Sequence, residues 1–251
     1  AWERAAEQFF DSEAAINVVH PINELTGHSG YTSGYIAKLL AAFDGVYRRD
    51  GILMGGSFAD DDTGEMSNWV SATGHWCGHF HNDLFGIKAT GRLTFLRFGE
   101  FHRMENGKAV ESYIFLDLPE LMIATGQWPI ADGPGIARGH TGYLPGPALN
   151  NGILLEESDA DESTRSYRIV TDMLLKLATP DEAWRPYWHD NMMWYGPAAF
   201  GAFVGIERFR DFQVPFEDAF EGWAGGLKPG SPTRHFTRFG DGLFACSGGW
   251  P

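Results

Sequence analysis

The chain has 251 residues, 43% of them apolar and 14% aromatic, enough for one large domain or two ordinary ones with their own cores. Nineteen basic residues against 33 acidic give a formal charge of −14, a surface that repels phosphate backbones and anionic lipid, so nucleic-acid and membrane partners are not expected. Cys77 and Cys246 allow one bridge at most, and a core this apolar needs no staple, which fits a reducing cytoplasm. No apolar run approaches the ~20 residues that span a bilayer. No leader pattern is apparent, and a first residue of Ala1 rather than Met leaves a trimmed start open.

In chain order, "AINVVHPI" (15–22) is apolar and β-branched, a strand. "GYIAKLLAAFDGVY" (34–47) carries the helical period through Ile36, Leu39, Leu40 and Phe43. Four strand-like runs follow at 51–58, 68–81, 92–104 and 109–117, with Asn106-Gly107 making a hairpin of the last two. Strand, helix, then antiparallel meander is an α+β order. In "DLPE" (117–120), Asp117 caps a helix and Glu120 completes the capping pattern.

Residues 129–152 hold six Gly and four Pro and read as an extended connector. The acidic stretch at 156–162 reads as a solvated loop. Ile169, Val170, Met173, Leu174 and Leu177 then form an amphipathic stripe. "TPDEAW" (179–184) is a helix start that Pro186 ends. "INVVHPINELTGHSGYTSGYIAKLLAAF" (16–43) can be laid against 191–220, and "NWVSATGHW" (68–76) against 242–251, in the same order. The chain therefore reads as a tandem duplication: a first domain over 1–127, a connector over 128–163, and a second domain over 164–251 that lacks counterparts of residues 92–122.

"GHWCGHFHND" (74–83) sets His75, Cys77, His79 and His81 at every second position, one face of a strand. Neighbours two apart lie ~6.6 Å along the strand, so two could share an ion but four cannot, and no third ligand is in view. No metal is expected; the imidazoles are instead candidates for a pocket wall, and the glycines for bends. Leu96, Phe98, Glu100 and His102 share another face. Glu100 among apolar neighbours would have a raised pKa and could carry protons, unless it is paired with Arg92, Arg97 or Arg103. Trp69 and Trp76 fall on opposite parities, one core and one pocket. His189 and Asp190 are adjacent and so cannot orient one another within a strand. Neither the "GPGIARG" run nor the "SATG" and "SGG" runs have the context of a phosphate loop or a nucleophile elbow.

"WHDNMMWYGPAAFGAFVGIERFRDF" (188–212) resembles the start of a SnoaL-like polyketide cyclase domain. "LRFGEFHRMENGKAVESYIFLDLPELM" (96–122) resembles the end of one, and "GHWCGHFHNDLFGIKATG" (74–91) its middle strand. The resemblance implies two tandem cone-shaped α+β domains of the nuclear transport factor two superfamily. In each, a bent antiparallel sheet wraps around helices and leaves an apolar pocket. It also implies pairing through the sheets, either between the two domains or in a homodimer. The carboxylate that moves protons in such cyclases falls at Ile114, which cannot do so, and the aligned pocket histidine falls at Glu100. The resulting expectation is cofactor-free acid–base chemistry (aldol cyclisation, isomerisation or hydration/dehydration) on a small apolar oxygenated molecule. Glu100, His75 and His79 would be catalytic, with Trp69, Phe98, His102, Ile114, Trp194 and Tyr195 lining the pocket. The alternative is a non-catalytic binding or pairing module of the same fold.

Overall fold

The computed structural model describes residues 2–129, 151–177, 182–197, 201–218 and 234–250. The glycine-rich centre of the connector, the "GPGIARG" run, Thr179, Pro180 and residues 198–200 lie outside the described residues. The chain forms two compact units. One holds residues 2–54, 67–129 and 151–155; the other holds 55–66 and the described residues from 156 onward. Among the described residues no helix is long and apolar enough to cross a membrane, and no disulfide joins Cys77 and Cys246.

The fold of the first unit is α+β. Helix α1 (Trp2–Phe9) leads into β1 (Phe10–Val18) and β2 (Asn23–Thr26). A helical run follows: α2 (Gly27–Gly30), a π-helical turn (Tyr31–Ile36) and α3 (Ala37–Ala42). Four longer strands come next, β3 (Phe43–Ala59), β4 (Met66–Phe80), β5 (Leu93–Glu105) and β6 (Lys108–Leu116), closed by α4 (Leu118–Ala124). They build one large curved sheet in the order β2-β1-β6-β5-β4-β3. The sheet is mixed rather than wholly antiparallel, because β1 runs parallel to β6. The Asn106-Gly107 hairpin forms as expected, both residues at positive φ and Glu105 paired with Lys108. Asp117 caps α4, its Oδ1 accepting from the Glu120 amide at 3.0 Å.

Register decides what faces the core. Across β4, β5 and β6, Ala72 pairs with Glu100 and Glu100 with Ile114, while Val70 pairs with His102 and His102 with Ser112. Cross-strand partners share a face, and side chains alternate along each strand. The even-numbered residues of β4 and β5 therefore lie over the helices, and burial alternates accordingly along β5. Gly74 and Gly78 do more than bend β4. A Cβ on Gly74 would sit 2.0 Å from the Arg49 carbonyl oxygen, and one on Gly78 3.0 Å from that of Asp44. The missing side chains let β3 close antiparallel over β4.

Three elements differ from the sequence expectation. Helix α1 has no counterpart there, since its short stripe of Trp2, Ala6 and Phe9 is easily lost beside the strand that follows. The helical run starts at Gly27 and stops at Ala42, so residues 43–47 are strand. The charged "RRD" at 48–50 masks that strand's alternation. The first strand begins at Phe10 and ends at a turn holding the cis His20–Pro21 bond.

The second unit contains α5 (Ala160–Lys176), a 3₁₀ turn (Arg185–Tyr187), β7 (Met193–Tyr195), β8 (Ala202–Val204), α6 (Ile206–Asp218), β9 (Arg234–Asp241) and β10 (Phe244–Trp250). Both strand pairs, β7–β8 and β9–β10, are antiparallel. Helix, short strand pair, helix, longer strand pair is also the order of the first unit up to β4. Two local expectations change. The acidic stretch opens α5 rather than forming a loop: Asp159 caps it through the Glu162 amide at 2.8 Å, and Asp161 and Glu162 sit at the positive end of the helix dipole. Pro186 lies inside the 3₁₀ turn and ends no longer helix. A core of Trp184, Met192, Ile206 and Phe209 holds the unit together.

Gly74→Ala forces a Cβ against the β3 backbone, and overpacking of this kind costs about 1–3 kcal/mol. Chemical denaturation is expected to show that loss as a lower midpoint; an unchanged midpoint would contradict the close approach of β3.

Candidate functional site

A cavity of about 230 Å³ opens in the first unit between α1, the π-helical turn and the sheet. Its walls are mostly apolar: Trp2, Ala5, Ala6, Phe9 and Phe10 on one side, Leu53, Val70 and Ala72 on the other. Four polar side chains interrupt them, Tyr31, Arg48, Glu100 and His102. An apolar hollow with a few convergent polar groups is the usual form of a small-molecule site.

Glu100 is its chemical centre and is only 2% exposed. A buried carboxylate is tolerated only when partnered. Here Arg48 Nη1 donates to Oε2 at 2.7 Å, and His102 Nε2 lies 3.5 Å from the same oxygen. The other oxygen, Oε1, is buried with no hydrogen-bond partner among the described residues. Burial pushes this carboxyl's pKa up, but the charge of Arg48 and the bond from His102 outweigh it, so the net direction is down. The raised pKa expected from the sequence is thus reversed, and the pairing arginine is Arg48 rather than Arg92, Arg97 or Arg103. Arg97 instead bonds Glu120 at 3.1 Å and Arg103 bonds Glu111 at 2.8 Å.

Arg48 is itself held in place. Asp50 Oδ1 accepts from its Nε at 3.1 Å and its Nη2 at 2.9 Å. Its guanidinium carbon lies 4.2 Å from the Phe98 ring centroid and 5.5 Å from that of Trp76, in cation–π range. Burial lowers its pKa, but Glu100 and Asp50 raise it further, and it stays charged. His102 Nδ1 lies 2.8 Å from Ser112 Oγ, and Phe9 meets the ring edge-on at 4.9 Å. Ser112 is not among the residues that line the cavity, so its part is to orient the imidazole. Burial first, and then the charge of Glu100, raises the pKa of Tyr31, which keeps its proton and remains a donor.

The sequence-predicted residues divide by face. Glu100 and His102 line the cavity. Phe98 lies beneath Arg48, and Ile114 sits opposite Glu100 in register as fully buried core, so both support the cavity without lining it. His75 and His79 have odd parity on β4 and lie on the opposite face of the sheet. His75 pairs with Arg97 across the strands, and burial, Arg97 and Arg49 lower its pKa to about 4. His79 is exposed, its ring 6.3 Å from that of His81. Among the described residues no three His, Cys, Asp or Glu side chains gather as metal ligands. Trp69 shares the face of His75, stacked on Tyr113 at 6.4 Å. Trp76 is core, its Nε1 donating to the Tyr35 hydroxyl at 2.9 Å. Neither tryptophan lines the cavity.

Trp194 and Tyr195 belong to the second unit and are separate from this cavity. Trp194 packs on Phe209 at 4.9 Å, its indole N–H buried without a partner among the described residues, and Tyr195 is 47% exposed. His189 Nδ1 accepts from the Asn191 amide and makes no dyad with Asp190. Sequence reasoning missed Arg48, Tyr31 and α1. Arg48 was hidden by the charged run that obscured β3, and Tyr31 by a helical run that starts seven residues before its apolar period shows.

No family model and no curated protein matches the sequence. Solved structures similar to this chain share low identity with it. A SnoaL-like polyketide cyclase from Jannaschia sp. CCS1 is 13% identical over 52% of this chain and 81% of its own, with a TM-score of 0.39. IdmH, a polyketide cyclase from Streptomyces antibioticus, is 14% identical over 49% and 84%, with a TM-score of 0.38. An NTF2-like protein from Burkholderia thailandensis E264 is 16% identical over 51% and 93%, with a TM-score of 0.34. The structural neighbours of this chain are therefore SnoaL-like polyketide cyclases and NTF2-like proteins.

Proposed function

We propose that the first unit binds a small, largely apolar, oxygenated molecule and moves a proton on it without a cofactor, with Glu100 as the proton carrier. The supporting observation is Glu100 Oε1, a buried carboxylate oxygen without a partner on the wall of an apolar cavity. In this reading Oε1 takes a proton from a carbon next to a carbonyl. The electron pair moves onto the carbonyl oxygen, which accepts a hydrogen bond from the Tyr31 hydroxyl. Glu100 then returns the proton at the atom that the new bonding pattern leaves basic. Aldol closure, isomerisation and hydration/dehydration all fit this sequence of steps. Arg48 and His102 act through Glu100, holding its oxygen in place and keeping it ionised when the cavity is empty. His75 and His79 have no part in this scheme.

The depressed pKa of Glu100 favours a second reading. A carboxylate so well stabilised is a weak base, and as a hydrogen-bond acceptor it would hold a ligand hydroxyl in a non-catalytic binding module. Native mass spectrometry of the intact chain identifies co-purifying small molecules and supplies the compound for assay. Under the catalytic reading, Glu100→Gln retains that compound and loses turnover by about 10²–10⁴-fold, the range of a general base. Unchanged turnover removes Glu100 from the chemistry; binding without any turnover in the unaltered chain selects the binding module.

Arg48→Met tests the electrostatics without a substrate. Leaving Glu100 buried and unpaired costs about 3–5 kcal/mol, and the carboxyl should titrate at higher pH in a carbon-detected NMR titration. The sign for stability follows. The Glu100 pKa is lower folded than unfolded, so its contribution is complete above the ordinary carboxylate value of about 4.3 and is lost as pH falls through the folded value. Arg48→Met should therefore be less stable than the unaltered chain at neutral pH, and the gap should close in acid. An unmoved carboxyl titration would show that Arg48 does not set this charge.

A further inference from the structure

The second unit holds a cavity of its own, about 300 Å³, separate from the one that contains Glu100. Helix α5 covers β9 so closely that a Cβ on Gly240 would lie 2.1 Å from the Ser163 carbonyl oxygen. Ser163, Thr164 and Tyr167 from α5, and Ser57 from the 55–66 segment, bring hydroxyls to the cavity wall. Phe58, Ala59, Met66 and Phe239 supply its apolar surface.

Arg238 lines this cavity and is 3% exposed. Its Nη2 donates to both carboxylate oxygens of Asp61, at 2.6 and 2.8 Å, and its guanidinium carbon lies 5.0 Å from the Phe58 ring centroid. Nε and Nη1 are buried with no hydrogen-bond partner among the described residues. A guanidinium is always charged and carries five N–H donors in a planar fork. Leaving donors of a charged group buried and unused is costly unless something else takes them up. We infer that the second unit binds a small monocarboxylate with an apolar body, one of its oxygens taken by a donor of Arg238 that Asp61 leaves free.

The charge balance selects a monoanion. Asp61 already pairs with Arg238, and Asp60 and Asp241 adjoin the lining residues Ala59 and Gly240 in the chain. Asp60 accepts from the amides of Asp62 and Thr63, and Asp241 Oδ2 from the Gly55 amide at 2.9 Å. A dianion such as phosphate would bring a second charge to a guanidinium that Asp61 already engages, and the Phe58 and Phe239 walls would meet its hydration shell. A carboxylate on a ring or short chain puts one charge on the guanidinium and its carbon atoms against those rings.

Ligand-observed NMR titrations of the full chain with benzoate and with inorganic phosphate test this. Benzoate is expected to bind more tightly than phosphate. Arg238→Gln should weaken benzoate at least tenfold. Ala59→Trp, which fills the cavity and leaves the Arg238–Asp61 pair intact, should weaken it as much. Asp61→Asn removes the resident competitor and should tighten binding at least threefold. Glu100→Gln should change nothing, which separates this site from the first cavity. If circular dichroism shows that Arg238→Gln has not folded, Ala59→Trp and Asp61→Asn decide. Absence of benzoate binding, preference for phosphate, or benzoate binding that Ala59→Trp leaves intact and Asp61→Asn does not tighten overturns the assignment.

Discussion

A carboxylate buried in the core of the first unit constrains much of what surrounds it. Glu100 stands on the inner face of the sheet beside Leu96 and Phe98, and a charge there persists only with partners. Arg48 must therefore reach it from β3, two strands away. Gly74 and Gly78 remove the side chains that would hold β3 off. Phe98 and Trp76 give the guanidinium an aromatic bed, and Asp50 takes the donors that Glu100 does not. On the far side, Ser112 and Phe9 fix the ring of His102. The cluster satisfies one carboxylate oxygen and leaves the other without a partner, at the edge of an apolar hollow.

That hollow depends on two helical elements. Helix α1 contributes Trp2, Ala5, Ala6 and Phe9 to the wall, two small residues between two large ones. The π-helical turn at Tyr31–Ile36 places Tyr31 at the cavity and Tyr35 against Trp76. A wider turn of this kind is often found at functional sites because it re-aims side chains that a regular helix would direct elsewhere. Each unit, taken by itself, combines a cavity with an arginine–acid pair in which one partner is buried with its hydrogen bonding incomplete. In the first the unused capacity is an acceptor, Oε1 of Glu100; in the second it is a pair of donors on Arg238. The two cavities accordingly differ in the polar chemistry they present.

Parts of this arrangement were legible before any coordinates. The alternation in "RFGEFHR" put Glu100, Phe98 and His102 on one face, and the register bears that out. Asn106-Gly107 and "DLPE" fixed a hairpin and a helix start through local chemistry alone. The same alternation rule placed His75 and His79 together but could not say which face of β4 is inner. The inner face belongs to Val70, Ala72, Gly74 and Trp76, because the small residues are what let Arg48 and the cavity fit above the sheet. The glycines of "GHWCGHFHND" were read as bends, yet what Gly74 contributes is the closeness of the next strand.

The sequence by itself determined the local elements: strands by their two-residue period, turns by Asn-Gly and Asp-Leu-Pro-Glu, the absence of a long apolar span, and a mid-strand glutamate between Gly99 and Phe101. Each of these depends on residues within a few positions of one another. Tertiary structure decided the rest. Arg48 meets Glu100 across 52 residues, and Arg238 meets Asp61 across 177. Whether Glu100 is raised or depressed in pKa depends on that distant cation. A charge interacts through space, and no pattern along the chain records which residues the fold brings within 3 Å of it.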